Sequence, residues 1–141
     1  MHSRTVGSRH FLVLKRGEEI CEQINAYLQA KTICAGSISA IGAADIVTLR
    51  YYDVQKKEYF SKTFEGEYEI TALLGNVSIM NGKSWAHLHI TIGDTEYKAY
   101  AGHLHSARVS VTCEVIIDAT TTEITRVKDE VTGLNVWDLN R

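Results

Sequence analysis

A chain of 141 residues with 45% hydrophobic and 23% charged residues is sized for one core and composed like a globular protein, not a disordered or membrane-embedded one. Its net charge of −2, with Lys15-Arg16 and Lys56-Lys57 as the densest basic clusters, lacks the basic stripe of a protein that grips nucleic-acid phosphates. No apolar run approaches the ~18–20 residues that cross a bilayer, and "MHSRTVGSRHFLVLKRGEE" lacks the features of a signal peptide, so a cytoplasmic location is expected.

With no proline and no repeat, linker or low-complexity segment, residues 1–141 parse as a single domain. "RHFLVLK" (9–15) reads as a strand. "GEEICEQINAYLQAK" (17–31) reads as a helix whose apolar positions Ile20, Ile24, Tyr27 and Leu28 form one stripe. Glu18 and Glu19 suit the positive end of its dipole. "TICAGSISAIGAA" (32–44) is rich in small residues. Strands are then expected at "DIVTLRYYD" (45–53), "EYFSKTF" (58–64), "YEITALLGNVSIM" (68–80), "WAHLHITIG" (85–93), "EYKAYAGHLH" (96–105), "RVSVTCEVIID" (108–118) and "TEITRVKD" (122–129). Many short strands with one early helix predict an α+β domain on a largely antiparallel sheet of about seven strands with one main helix.

In the strand at 68–80, Tyr68, Ile70, Ala72 and Leu74 should share one face against Glu67, Glu69, Thr71 and Leu73. One helix is too short to cover such a sheet, so a further copy of the chain is expected over part of its apolar surface. Cys21, Cys34 and Cys113 form no CxxC pair, which argues against a disulfide framework and for a reducing compartment.

Four of the six histidines fall in two His-Leu-His triplets, 87–89 and 103–105. Period two puts His87 and His89 on one face, opposite Leu88, Ile90 and Ile92. Likewise Ala99, Ala101, His103 and His105 share a face. With the turn in "GDTE" (93–96), two registers compete. If paired numbers sum to 190, His87 sits opposite His103 and His89 opposite Ala101. If they sum to 189, every face is swapped and the imidazoles do not meet. In the first register His87, His89 and His103 form a three-imidazole set suited to zinc, with a fourth position open to water, and His105 is a possible further member.

Other groups carry less signal. Glu69 is a weak candidate for a base that orients an imidazole or activates a metal-bound water. Asp94 suits a turn, and Glu114 and Asp118 suit strand ends or a subunit boundary. No Ser-His-Asp cluster or phosphate-binding glycine loop is visible.

Laid end to end, "LKRGEEICEQINAYLQ", "AGSISAIGAADIVTLRYYD", "GEYEITALLGNVS", "HLHITIGD" and "AGHLHSARV" with "CEVII" resemble the PPC (plants and prokaryotes conserved) domain over about residues 8–130. The resemblance implies an antiparallel sheet of about seven strands with one helix, assembled as a homotrimer. It also implies that His87, His89 and His103 can hold zinc, and it favours the register summing to 190. His105 departs from the usual pattern. So does Glu67, which stands where many members have arginine. Prokaryotic members are often labelled as DNA-binding, and plant members carry an AT-hook; this chain shows no such segment. Three functions are therefore weighed: a homotrimeric binding or assembly module with a metal, a metal-dependent hydrolase or lyase acting on a small molecule, and a DNA binder without an AT-hook. The substrate or partner is left unknown.

Overall fold

The computed structural model describes residues 1–140. The elements in chain order are strands β1 (His2–Val6) and β2 (Arg9–Lys15), helix α1 (Ile20–Ala30), then strands β3 (Gly36–Asp53), β4 (Glu58–Met80), β5 (Lys83–Gly93), β6 (Ala99–Ala119), β7 (Thr125–Lys128) and β8 (Asn135–Asp138). The expected α+β architecture with one helix is observed. The sheet has eight strands, close to the expected seven: some expected segments merge, and two strands, β1 and β8, are additions. Both escape a reading of periodicity for the same reason. β1 is exposed along its whole length and β8 along most of it, so neither shows an apolar face.

Helix α1 forms where the stripe predicts it. Glu19 is its N-cap: one carboxylate oxygen accepts from the Glu22 N–H at 2.7 Å, and the other accepts from the Ala107 N–H at 2.8 Å. The cap thereby ties the helix start to β6. Ile20, Ile24, Tyr27 and Leu28 are all buried, each contributing about 1.5–3 kcal/mol of transfer free energy. The helix ends at Ala30, just before Thr32, whose φ of +53° leaves the helical region.

The main departure from the expected elements is their length. Segments read as separate strands join into single bent ones: 45–53 is the second half of β3, 58–64 and 68–80 are both β4, and 96–105 and 108–118 are both parts of β6. The breaks are β-bulges, not turns. A bulge inserts an unpaired residue and bends the strand without ending it. One of them corrects the expected face pattern of β4. Ile70 pairs with Ile92 and Ala72 with Thr91, so Thr71 is an extra residue in the ladder. The phase flips there, burying Leu73 completely and leaving Leu74 62% exposed.

Bending lets the sheet close on itself. β3 pairs with β4 and β6, and β5 pairs with β4 and β6 on the other side, so these four strands make a ring. The ring and α1 enclose one core that includes Val47, Ile70, Leu73, Leu88, Ile90, Ile92 and Val109. Gly42 permits a close crossing: a Cβ there would lie 2.3 Å from the Thr112 carbonyl oxygen. On the outer surface a single row of directly paired residues runs Phe11, Ile116, Ser39, Leu74, His89, His103, Arg50 and Ser61. Paired residues in an antiparallel ladder share a face. The row therefore begins on an exposed apolar surface and passes directly into histidines.

Candidate metal centre

The β5–β6 turn sets the geometry of the site. It spans Asp94 to Lys98, longer than the four residues expected, and Tyr97 takes a φ of +62° within it. The Asp94 carboxylate accepts from the Glu96 and Lys98 N–H groups, both at 2.9 Å, and from the Tyr100 hydroxyl at 3.1 Å. Asp94 serves the turn, as its position predicts. Gly93 consequently pairs with Ala99, and paired numbers sum to 192 rather than 190. A shift of two residues keeps every face, so the imidazoles still converge. What changes is the partner: His89, not His87, stands opposite His103, and Ala101 faces Thr91.

β5 is gripped from both sides. Gly75 of β4 lies opposite Leu88, so close that a Cβ on it would stand 2.3 Å from the His87 carbonyl oxygen. On the edge where pairing with β6 stops, α1 takes over. The Ala86 N–H donates to Asn25 Oδ1 at 2.9 Å, and Gln29 Nε2 donates to the Ser84 carbonyl at 3.4 Å. His87 thus hangs from a strand whose backbone is fixed by a helix and a glycine.

The ring centroids of His87, His89 and His103 lie 5.1, 5.1 and 5.5 Å apart, and one nitrogen from each falls within 4.8 Å of the other two. Tetrahedral ligands about 2.0–2.1 Å from zinc stand roughly 3.3 Å apart, a separation that small ring rotations reach. His103 Nδ1 is buried without a hydrogen-bond partner, an orphaned donor or acceptor of the kind a ligand would satisfy. Donor type and spacing both fit a borderline-soft divalent metal.

Two aromatic stacks brace the imidazoles. Trp85, two residues before His87 and on the same face, stacks on it at 5.6 Å and 16°, and the Arg126 guanidinium lies over the indole at 5.0 Å. Tyr59 packs on His103 at 5.6 Å, with the Arg50 guanidinium 5.7 Å over the phenol ring. Each outer cation is attracted to the ring face and raises the local potential at the histidine behind it. Burial first, then neighbouring charges on His103, Arg126 and His89, lowers the His87 pKa to about 4. Burial, then His89, Arg50 and His105, lowers His103 likewise to about 4. Both rings are neutral at pH 7, the state that ligates metal.

The triad forms part of the wall of a cavity of about 680 Å3, lined also by Tyr52, Lys57 and Leu134. Arg126 holds this wall together. It donates to Ser78 Oγ at 2.8 Å, to the Asn135 carbonyl at 2.7 Å and to Asn76 Oδ1 at 2.9 Å.

The remaining expected site residues lie elsewhere. His105 is the extra residue where Thr48 pairs with Ser106 but Leu49 with Leu104. The bulge leaves it exposed, outside the set of mutually close nitrogens and within 3.1 Å of Arg50 Nη2. Glu69 pairs with Gly93 and Ala43, six residues along β5 from the level of His87, roughly 20 Å at the strand rise. It lines a separate cleft with Glu67 and Asp94 and does not serve this site. Glu114 borders the exposed apolar surface, and Asp118 pairs with Arg9. Sequence reading missed Trp85, Tyr59, Arg50 and Arg126. Trp85 was findable from period two; the others arrive from β3, β4 and β7 with no local signal.

All three cysteines are free, and burial pushes the Cys113 thiol up to about 12 and the Cys21 thiol higher still. No helix among the described residues is long and apolar enough to cross a membrane.

Comparison with known proteins places this geometry. A search of curated proteins gave no match. Among solved structures, a protein of Bacteroides thetaiotaomicron, named as a candidate DNA binder, superposes with a TM-score of 0.96 at 36% identity, covering 99% of this chain and 98% of that one. A metal-containing protein of Archaeoglobus fulgidus gives 0.86 at 38% identity, covering 94% of each chain. A plant- and prokaryote-conserved (PPC) protein of Pyrococcus horikoshii gives 0.86 at 28% identity, covering 95% and 93%. The family profile described as the Plants and Prokaryotes Conserved (PCC) domain matches residues 1–121, so the chain belongs to this family, the PPC family its segments resemble.

Proposed function

We propose that the chain is a metal-binding PPC-domain protein whose His87, His89 and His103 hold one zinc ion, and that it works as a homotrimeric binding or assembly module. The observation that carries the reading is the meeting of three nitrogens within 4.8 Å on the outer face. The metal-containing relative at 38% identity supports it. When bound by three imidazoles, zinc keeps a position open to water or a ligand. The three free cysteines suit a reducing, cytoplasmic setting.

Self-association is supported by the opposite end of the histidine row. Phe11, Val13, Ile41, Leu74 and Ile116 are 41–62% exposed and line one apolar groove of about 480 Å3. Leu74 lies directly across from His89, so a copy seated there would border the metal.

The cavity beside the triad favours a second reading, a metal-dependent hydrolase or lyase acting on a small molecule. Glu69 is too far along the sheet to be its base. DNA binding is the weakest reading. A relative carries that description, but the net charge is −2 and Arg50 and Arg126 line a concave cavity rather than a stripe.

The test is elemental mass spectrometry with native mass spectrometry on untagged protein prepared without chelator. One zinc per chain, absent from the His103→Ala variant, and a trimer mass are expected. No metal in the wild type removes the metal reading, and a monomer removes the assembly reading.

A further inference from the structure

The cavity beside the triad, we infer, recognises a small organic carboxylate, with Arg50 and the C-terminal hairpin β7–β8 as its selective elements. The inference deepens the metal-centre reading and rests on it in sharing the same cavity. Among the described residues three cations line that cavity, Arg50, Lys57 and Arg126, and no aspartate or glutamate does. A chain with more acidic than basic residues does not produce such a wall by composition.

Each cation is placed rather than free. Arg126 donates to neutral oxygens that fix its charge without cancelling it, and Lys57 Nζ donates to the Glu130 carbonyl at 3.1 Å, with the Asp129 carboxylate near enough to feel its charge. Arg50 is the least satisfied. Its Nε is buried with no hydrogen-bond partner, a costly arrangement for a charged donor unless an acceptor arrives. An anion is the acceptor that matches the sign.

The other walls say what the anion is attached to. Tyr52, Tyr59, Trp85 and Leu134 present flat or apolar surface, which suits a carbon skeleton better than a free inorganic ion. A planar guanidinium fork donates two parallel bonds to a carboxylate. Arg126, Gly133, Leu134 and Asn135 all come from beyond residue 121, where the family match ends. The metal ligands lie within the matched region, so binding of metal and choice of ligand are assigned to different parts of the chain.

The experiment is calorimetric titration of benzoate, its neutral isostere benzamide, and inorganic phosphate into the full chain. It is run on chelator-treated and zinc-reconstituted protein, with metal content measured on the same samples. Benzoate is expected to bind at least tenfold more tightly than benzamide and than phosphate in both forms. Arg50→Gln should remove that preference, and Arg50→Lys should restore part of it. Should Arg50→Gln fail to fold, Lys57→Gln at the exposed rim is read the same way. Equal binding of benzoate and benzamide, tighter binding of phosphate, or a preference untouched by these substitutions overturns the inference. A benzoate preference in protein that takes up no metal would leave this inference standing while the metal reading falls. Metal uptake without the preference has the reverse meaning.

Discussion

The two His-Leu-His triplets are identical in sequence and on neighbouring strands, yet only one delivers both of its imidazoles to the site. In the first, regular pairing of β5 with β4 keeps His87 and His89 on one face, with Leu88 in the core. In the second, Leu104 is equally buried and His103 is paired on both sides, to His89 and to Arg50. One residue further, the bulge in β6 carries His105 away to Arg50. A tripeptide pattern fixes which face a side chain takes. Ladder continuity over the next residue decides what it meets.

The largest test of this contrast exchanges one histidine at a time. Loss of a ligand should exceed the about 10–100-fold penalty seen when an outer partner is removed, so His103→Ala is expected to abolish measurable zinc uptake. His105→Ala removes only a neighbour of Arg50 and should weaken zinc binding by less than about tenfold. A competition assay with a chromophoric chelator measures both. Equal losses would mean that both triplets ligate, and the bulge would not separate them.

A second substitution strikes the first triplet alone. Gly75→Ala sets a Cβ 2.3 Å from the His87 carbonyl and 2.5 Å from Leu88 Cδ2. Backbone must move, at a cost of about 1–3 kcal/mol, and β5 carries His87 and His89 with it. Chemical denaturation should show the lost stability, and zinc uptake should fall with it while the β3–β6 ladder beneath His103 survives. Destabilisation with full metal affinity would show that the triad tolerates a shifted β5.

How far the sequence reveals this site follows from the same contrast. The helix stripe Ile20, Ile24, Tyr27 and Leu28 was legible because it depends on local period alone. The convergence of His87, His89 and His103 was legible too, since an even shift in register, here from 190 to 192, preserves faces. The opposing pair was not, because it depends on how many residues the Asp94 turn consumes. Period two places Leu74 on the face of Ile70, and nothing around Thr71 signals the extra residue that moves it. Arg126 lies 39 residues from His87 in sequence and reaches it through a hairpin whose strands show little periodic pattern.

The burial of His87 and His103, reinforced by neighbouring charges, makes a pH prediction. Both rings stay neutral in the folded protein down to about 4, whereas in the unfolded chain they take up protons near the ordinary value of about 6.5. Between those limits the unfolded state binds more protons, so stability rises with pH and falls as pH drops from 6.5 towards 4. Metal-free protein should melt at progressively lower temperature through that window. In a His87→Asn, His103→Asn double variant the dependence should flatten. An unchanged slope in the double variant would assign the acid sensitivity to other groups.

The smallest expected effect concerns how the first triplet is held at its open edge. On the N-terminal side of His89, β5 has no β6 neighbour, and the Ala86 N–H donates to Asn25 Oδ1, whose amide also donates to the Cys21 carbonyl. Asn25→Ala leaves a partly buried donor unpaired, which costs about 1–3 kcal/mol when no water replaces the bond. The low end of that range applies here, since Asn81, Gly82 and Lys83 at the start of this edge are exposed and water can approach from there. The helix itself keeps its buried stripe and should lose little. Hydrogen exchange localises the outcome: faster exchange at Ala86 and His87, with the amides of Leu104 and Ala107 unchanged, is expected. Acceleration spread equally over both triplets would instead mean that Asn25 supports the whole ring, and that α1 holds β5 and β6 as one unit.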